Sequence, residues 1–438
     1  MSDSPSIPVV APASRVRHRD RGAGSARVSG LDFARFVALV GMMIAHVWAL
    51  NANGGFSPAL QVVSGKAGAL FAVLAGVGIA LTSRRSLADG RVWAARRNLV
   101  GRGLALVVIG LTLGLISPLI AVILVYYGIL FWGASLMVRW SNRTLLIGAG
   151  LLAVLWPFAS SLLRAGLPEQ VAGGGNPTWL SLGDPGDLLR DLFLSGAYPV
   201  PTWIVYAMAG MVVGRLVLAA ADTASLRRLG LRLPMIGVPL AALAAGVSAL
   251  LAGPFGGLRA LESSSGVDPD LVEELFYATG SGTSVAGNFW WLASPAPHTG
   301  TFFDLAITVG IALAALGLCL LLGTVVHGSV RTLLEPIRRA GAAPLTVYTA
   351  HVVAASVVVI AAIATGATGG PGNIPWYISS AGLWALHVAG AVLIGLVLAL
   401  LGRRGPLETF VSWVGRLFSG AGRSGRPRKR QQPADATA

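Results

Sequence analysis

The stretch SGLDFARFVALVGMMIAHVWALNA, residues 29–52, decides the fold of this chain. It is apolar over most of its length, yet it contains an arginine at 35 and a histidine at 46. A transmembrane helix needs about 20 mostly apolar residues, and residues 31–52 supply them. We therefore predict a first membrane span here, uncleaved because no small-residue cleavage site follows it.

Nine further runs of similar composition follow along the chain. They lie at 62–82, 99–116, 118–138, 144–163, 200–220, 234–253, 302–325, 342–365 and 376–401. Only Ser117 and Pro118 separate the third span from the fourth, so we expect these two to form a tight helical hairpin. The sequence thus predicts an all-α fold, a polytopic transmembrane helical bundle of about ten spans.

Composition supports this class and excludes others. Hydrophobic residues make up 54% of the 438 positions and charged residues only 12%, whereas soluble domains carry about 25% charged residues. The net charge of +15 comes from basic residues in short loops and tails, a membrane pattern that argues against nucleic acid as a partner. The single cysteine, Cys319, gives no disulfide framework and no cysteine metal site, so no metal is expected.

The basic residues also predict the orientation. One set of alternate loops contains most of the arginines, at 15–27, 84–97, 139–143, 215–232, 331–339 and from 403 onward. The other set contains mainly acidic residues, among them Asp184, Asp187, Asp191, Asp268, Asp270, Glu273 and Glu274. Because positive residues stay on the cytoplasmic side, we predict that both chain ends lie in the cytoplasm.

We divide the chain into three parts. Residues 1–28 are polar and rich in Pro, Ser and Arg, which predicts a disordered cytoplasmic arm. Residues 29–402 form the transmembrane domain, and residues 403–438 form a basic cytoplasmic tail. Within the first span Ser29 and Asp32 match a helix-capping box, which would start the helix there.

Two outer connections, 164–199 and 254–301, are longer than ordinary connectors. Each contains a predicted short helix, one within 187–194 and one capped by Asp268 with Pro269 at its first position. We expect both connections to lie at the outer interface and to cover a cavity.

Ionisable residues within a span are costly and are functional candidates by default. Arg35 and His46 are eleven residues apart, almost three helical turns, so they share a helix face about 16 Å apart along the axis. This places a cation at the cytoplasmic rim and an imidazole toward the outer half. The alternative is structural: Arg35 pairs with Asp32 or a lipid phosphate, and His46 hydrogen-bonds a neighbouring helix.

Five other side chains raise the same question. His351, with Tyr348 three residues earlier, and His387 are predicted near the bilayer middle, where an interhelical hydrogen bond is the structural alternative. Lys66 is predicted at a depth similar to that of His46, and it can either snorkel to the interface or contact a polar substrate. His298, in the outer connection before the eighth span, is either a surface histidine or a ligand for a substrate.

The first span resembles the first helix of the membrane-bound acyltransferase clan, whose acyltransferase-3 members carry Arg, ten residues, then His. The rest of the chain resembles the YeiB-like proteins, related to the heparan-α-glucosaminide N-acetyltransferase type. The stretches that carry this second resemblance lie between residues 64 and 351; they are Ser64–Phe71 through Gly76, Gly186–Arg190, Tyr198-Pro199, Pro297–Gly300 and Pro344–His351.

The resemblance implies a membrane acyltransferase that moves an acetyl or other acyl group from cytoplasmic acyl-CoA, the donor co-substrate, onto an outward-facing glycan or glycolipid. His46 would be general base or transient acyl carrier, with His351 and Tyr348 orienting or relaying protons. Arg35 would hold the CoA phosphates, while Lys66 and His298 would face the acceptor.

Other interpretations stay open. The same polar groups would serve a carrier or flippase for a polar or lipid-linked solute, although no Asp or Glu lies in the middle of a predicted span. A third interpretation is a non-catalytic membrane scaffold.

The spacings Gly110-x3-Gly114 and Gly210-x3-Gly214 indicate packing within the bundle or, alternatively, a homo-oligomer. Since only Lys66 and Lys429 are lysines among 33 basic residues, we expect the plasma membrane of a GC-rich bacterium.

Overall fold

A computed structural model describes residues 21–167, 175–264, 268–369 and 373–420, with the side chains of 21–28 left out. The described part of the chain is helical and contains no β-strand, as the apolar runs predict. The helices are α1 Arg21–Val47, α2 Pro58–Val63, α3 Lys66–Ala88, α4 Val92–Gly114, α5 Leu124–Met137, α6 Asn142–Arg164, α7 Pro185–Arg190, α8 Val200–Ala219, α9 Thr223–Ala252, α10 Gly257–Ser264, α11 Pro269–Tyr277, α12 Phe302–Val325, α13 Gly328–Leu333, α14 Glu335–Ala342, α15 Pro344–Ala364, α16 Ala381–Leu400 and α17 Pro406–Ser419.

The predicted membrane spans are confirmed as helices. Within the described residues, nine helical segments are long and apolar enough to cross a membrane, α2 and α3 together counting as one. The tenth predicted span is the shorter apolar helix α5. The chain is therefore a multi-pass membrane protein, and the side on which each end lies stays a prediction.

The fourth span begins six residues later than predicted, at Leu124 and not at Pro118. Asn176 holds the intervening backbone open: its amide nitrogen donates to the carbonyls of Ser117 and Ile120, both at 2.8 Å, and its oxygen accepts from Val122 N at 2.6 Å. These bonds satisfy the backbone groups that a helix would have paired. Helices α4 and α5 do pack against each other as the predicted hairpin, since a Cβ at Gly110 would come within 2.7 Å of Val125 N. The predicted tight corner at Ser117-Pro118 is wrong, because residues 115–123 connect the two helices.

Helix α1 starts at Arg21, eight residues before the predicted boundary. The predicted capping box of Ser29 and Asp32 is wrong, because both residues lie inside the helix. Residues 1–20 of the predicted arm and 421–438 of the predicted tail lie outside the described residues. The division into arm, domain and tail stays a prediction.

Helix α8 is the most buried of the spans. It approaches α3 closely: a Cβ at Gly76 would come within 2.9 Å of Gly210 Cα, and a Cβ at Gly214 would meet Ala80 Cβ at 2.9 Å. Gly114 lies against Pro177 O. Each of these predicted small-residue spacings is therefore used for packing within the chain, as one of the two interpretations expects.

The two long connections contain the predicted short helices. Asp268 caps α11 with Pro269 at its first position, and its side chain accepts from Asp270 N at 3.1 Å. The other connection forms α7 and a π-helical turn, Asp191–Ser195. The connections contact each other, since Arg164 Nη1 donates to Ser284 O at 2.8 Å and Gly282 lies against Gly196 and Ala197. Together they cover the bundle end at which α1 stops.

Candidate active site

A cavity of 360 Å³ opens at this covered end of the bundle. Its lining comes from the end of α1, α2, residues 118–121, α15, α16 and both long connections. The polar side chains that line it are His46, Ser64, Tyr198, Thr279, His298, Ser356, Tyr377, Ser379 and His387. Within the described residues the lining contains no carboxylate and no arginine, so the site is polar but uncharged when its histidines are neutral. The predicted cover is confirmed, since both connections line the cavity.

Three histidines form a continuous hydrogen-bonded chain in this site. His46 Nδ1 lies 3.0 Å from His351 Nε2, and His351 Nδ1 lies 2.9 Å from His387 Nδ1. His46 and His387 both line the cavity, whereas His351 is buried between them with 5% of its surface exposed. The predicted interhelical hydrogen bonds of His351 and His387 are confirmed, and their partners are each other and His46.

The hydrogen bonds couple the tautomers of the three histidines. A neutral imidazole has one N–H and one bare nitrogen, and His351 uses both nitrogens within the chain. If His46 donates to His351, then His351 donates to His387 and the Nε2 of His46 is a bare acceptor. In the opposite arrangement His46 Nε2 carries a proton and is a donor. The chain thus presents either a base or an acid at His46.

Tyr348 lies next to the first histidine of this chain. Its ring centroid is 6.4 Å from that of His46, and both residues line a 50 Å³ extension of the cavity. The tyrosine is buried, and its hydroxyl lies near the Ile123 backbone without a well-aligned hydrogen bond to any of the described residues. A buried hydroxyl left without a partner is costly, so this one is available to a bound substrate.

His298 enters the cavity from a strained turn. Its backbone has φ 61°, a left-handed conformation that non-glycine residues rarely adopt. The turn is held from both sides: Asp304 Oδ2 accepts from Gly300 N at 3.0 Å, and Gly282 N donates to His298 O at 2.8 Å. Strain maintained by such contacts is typical of functional positions.

The surroundings of the His298 ring are aromatic. Its centroid lies 6.0 Å from that of Tyr198 and 6.2 Å from that of Trp203. Burial lowers the pKa of His298 to about 4, because a charged imidazole is poorly solvated there. The same burial raises the pKa of Tyr198 to about 12. Both groups are thus neutral hydrogen-bonding groups at physiological pH.

Arg35 lies at the other end of α1, outside the cavity lining. Its Nη1 contacts Asp32 Oδ1 at 2.9 Å, and Arg338 Nη1 contacts Asp32 Oδ2 at 3.0 Å. Glu335 pairs with Arg338 and Arg339, which lowers the pKa of its carboxyl to about 2. Three arginines thus share two carboxylates, which leaves the cluster with one net positive charge.

Lys66 is the first residue of α3, directly after Gly65, whose φ is 70°. Its ammonium donates to Gln61 O at 2.8 Å and is attracted by the nearby Asp304 carboxylate. Gly65 lines the extension of the cavity, whereas Lys66 lines neither the cavity nor its extension. The structure therefore brings His46, His351, Tyr348 and His298 together, and places Arg35 and Lys66 apart from them.

Sequence analysis missed the role of His387 as the third member of the chain. Its signal was present: His351 and His387 were both predicted near the middle of consecutive spans, and two histidines at similar depth are candidates for contact. Tyr198 stood in one of the stretches that carry the resemblance but was not assigned to the site. The backbone at 118–121 gave no signal, because its place in the lining depends on the Asn176 contacts.

The first half of the chain matches a model of a known protein family. The model described as heparan-α-glucosaminide N-acetyltransferase, catalytic, matches residues 27–248, about half of the chain. The matched part contains Arg35, His46 and Lys66, and it ends before His298, Tyr348, His351 and His387. No curated protein matches the chain closely.

Proposed function

We propose that this chain, which belongs to the heparan-α-glucosaminide N-acetyltransferase catalytic family, transfers an acyl group from acyl-CoA to a sugar or glycoconjugate across the bilayer. The family is one of membrane acetyltransferases, so acetyl-CoA is the first donor to test. One observation carries the assignment of the site: His46 opens onto a cavity while His351 and His387 back it through 3.0 and 2.9 Å hydrogen bonds.

The reaction needs a proton acceptor and a proton donor at the same place. His46 Nε2 takes the proton of the acceptor hydroxyl or amine, whose oxygen or nitrogen then attacks the thioester carbonyl carbon. The carbon–sulfur bond breaks, and the departing thiolate takes one proton back from His46. The products are the acylated acceptor and the free thiol, so the histidine returns to its starting state.

The histidine chain lowers the cost of holding that proton. When His46 Nε2 is protonated, its Nδ1 proton can pass to His351, and the Nδ1 proton of His351 can pass to His387. The positive charge is then shared over three imidazoles and not confined to one in an apolar setting, where a charge is poorly solvated. We propose His351 as the relay and His387 as its outlet.

The remaining candidates act on the substrates. The Tyr348 hydroxyl, buried near His46 without a well-aligned hydrogen bond, would donate to the oxygen that gains negative charge during attack. His298 would contact the acceptor from its strained turn, and Lys66 would face the acceptor with its positive charge. Arg35 would hold a donor phosphate, which the net charge of its cluster supports.

The experiment is a transfer assay with the purified full-length protein in liposomes. Radiolabelled acetyl-CoA and cell-envelope glycans or glucosamine-bearing acceptors are supplied, and label in the acceptor is measured. The His327→Asn variant is the matched control, because His327 is an exposed histidine outside the cavity. Label in the glycan with the parent and with the control supports the proposal. Solute uptake without label transfer would instead support a carrier.

The direction of transfer follows from the predicted orientation, which needs its own test. Single cysteines at Gly55 and Ser264 should react with an impermeant thiol reagent in intact cells, whereas those at Ala88 and Ser225 should not. The native Cys319 is buried and serves as the background. Labelling at Ala88 from outside would reverse the direction proposed here.

A further inference from the structure

A second cavity, of 550 Å³, lies at the opposite end of α3 from Lys66. It is enclosed by the end of α3, the first half of α4, the residue Arg404 and α17. Six arginines line it: Arg84, Arg85, Arg91, Arg102, Arg404 and Arg416. The linings of this cavity and of the histidine cavity share no residue.

The charge of these arginines is not balanced locally. Within the described residues, no Asp or Glu lines the cavity. Arg91 has an ion pair with Asp89, at 2.7 Å, in which both side chains are more than half exposed. Arg102 instead contacts neutral groups, Asn98 Oδ1 at 3.0 Å and Ser412 Oγ at 3.1 Å. Such a concentration of guanidinium groups is stabilised by a bound anion.

The other polar groups in the lining fit a phosphate. Ser86, Ser412, Ser419 and Asn98 supply hydroxyl and amide groups beside the arginines. Guanidinium groups bind phosphate oxygens in a bidentate manner, and hydroxyl donors fill the remaining acceptor positions. This donor set indicates a phosphate-bearing ligand and not a carbohydrate or a simple halide.

Helix α17 indicates where that phosphate comes from. One of its sides contributes Ser412, Arg416 and Ser419 to the cavity. Away from the cavity, α17 exposes three large apolar side chains: Phe410 by 39%, Trp413 by 51% and Leu417 by 58%. A helix with a basic polar side and exposed aromatic and aliphatic residues lies in a membrane interface.

The position of α17 is fixed by close packing on α4. A Cβ at Gly415 would come within 2.8 Å of the Arg102 side chain, and a Cβ at Gly101 would come within 2.8 Å of the Phe418 ring. The basic cavity is therefore a built feature between α17 and the bundle.

We propose that this basic cavity binds the phosphate of an anionic phospholipid head group, with the acyl chains beside Trp413 and Leu417. The site does not depend on the proposed transferase activity. It would anchor α17, and through it the end of the α3–α4 pair, to a charged membrane surface.

The test measures lipid binding to the purified full-length protein by native mass spectrometry in detergent. Phosphatidylglycerol and phosphatidylcholine are titrated separately, since both contain a phosphodiester but only the first has a net charge. Inorganic phosphate and CoA are the soluble arms. The variant is Arg84→Gln with Arg416→Gln, both exposed residues of the lining. The matched control is Arg227→Gln with Arg228→Gln, exposed arginines at the start of α9.

We expect the parent and the control pair to bind phosphatidylglycerol more tightly than phosphatidylcholine, and the Arg84/Arg416 pair to bind it at least about tenfold more weakly. Equal phosphatidylglycerol binding by both pairs, or no preference of the parent over phosphatidylcholine, overturns the proposal. A loss confined to CoA or inorganic phosphate overturns the lipid as the source. If the pair misfolds, Arg84→Gln alone is compared with Arg227→Gln by the same criteria.

Discussion

The two ends of α1 contain the same kind of feature, an ionisable side chain on one helix face, and the structure treats them in opposite ways. At the Arg35 end, opposite charges form ion pairs: Asp32 contacts two arginines at 2.9 and 3.0 Å, and Glu335 pairs with one of these arginines. At His46 a neutral imidazole meets another imidazole and an open cavity. At the Arg35 end, which we call the closed end, most charged groups are paired with neighbouring side chains. At the His46 end, which we call the open end, polar groups stay available to a substrate.

The difference between the two ends shows that a shared helix face does not determine which partners its residues have. The eleven-residue spacing predicts that Arg35 and His46 face the same side, and this says nothing of what lies opposite each of them. Residues about 300 positions further along the chain decide what lies opposite. Arg338, 306 positions after Asp32, lies opposite Asp32, and His351, 305 positions after His46, lies opposite His46. Polar groups in a membrane find partners when these are present, so chemistry is concentrated where pairing is incomplete.

The comparison is tested most strongly at the open end, by His46→Asn. Asparagine keeps a hydrogen-bonding side chain but cannot accept a proton near neutral pH, so we expect kcat to fall by about 10²–10⁴-fold. The thermal unfolding temperature should stay close to that of the parent. Acetyl transfer at the parent rate would reduce His46 to a structural hydrogen-bonding residue.

The closed end is tested by Arg35→Ala. If Arg35 also holds a donor phosphate, loss of this charge-assisted contact should raise the acyl-CoA KM by about ten- to hundredfold, with a smaller change in kcat. Arg339→Ala is the matched control, since Arg339 pairs with Glu335 in the same cluster. A lower unfolding temperature with an unchanged KM would restrict Arg35 to its ion pair.

The relay at the open end is tested by His387→Gln. We expect kcat to fall by about tenfold with KM unchanged, because His351 loses its outlet for the proton while His46 stays in place. The solvent isotope effect on kcat should change as well, which a purely structural role would not produce. The control is Trp384→Phe, which removes the 3.2 Å bond from the indole to Val40 O that joins α16 to α1. An equal loss in both variants would assign the effect to the helix contact.

The smallest effect is expected at the cover, with His298→Asn. Asparagine tolerates the left-handed backbone of this position, so stability should be retained while the imidazole is lost. We expect the acceptor KM to rise by a few-fold to about tenfold, as for one lost neutral hydrogen bond. Because the pKa of His298 is about 4, its imidazole stays neutral from about pH 5 to about pH 8, and the effect should not vary over that range. An unchanged acceptor KM would make this histidine part of the cover only.

The fold was largely predictable from the sequence because apolar length is a local property. Each long run became a helix, and the cap of Asp268 on α11 follows from two adjacent residues. The errors arose where distant groups intervene. The late start of α5 depends on Asn176, and the continuation of α1 through Ser29 leaves Asp32 free to pair with Arg338.

For the candidate site, the sequence predicted individual residues but not the contacts between them. Four of the six predicted residues lie together, since unusual residue types in apolar runs mark them individually. Their connection was not predictable: the chain from His46 through His351 to His387 depends on which helices are neighbours, and this is a property of the tertiary structure. The same holds for the basic cavity, whose arginines are spread from residue 84 to residue 416.

The short helix α5 affects the thickness of the barrier at the site. Its 14 residues span about 21 Å, less than the about 30 Å of a typical hydrocarbon core. The non-helical backbone that precedes it lines the histidine cavity. A short hydrophobic segment thins the surrounding bilayer at a cost of fractions of a kcal/mol per Å. We expect the bilayer to be thinnest beside α5, and this would shorten the path that the proposed transfer has to cross.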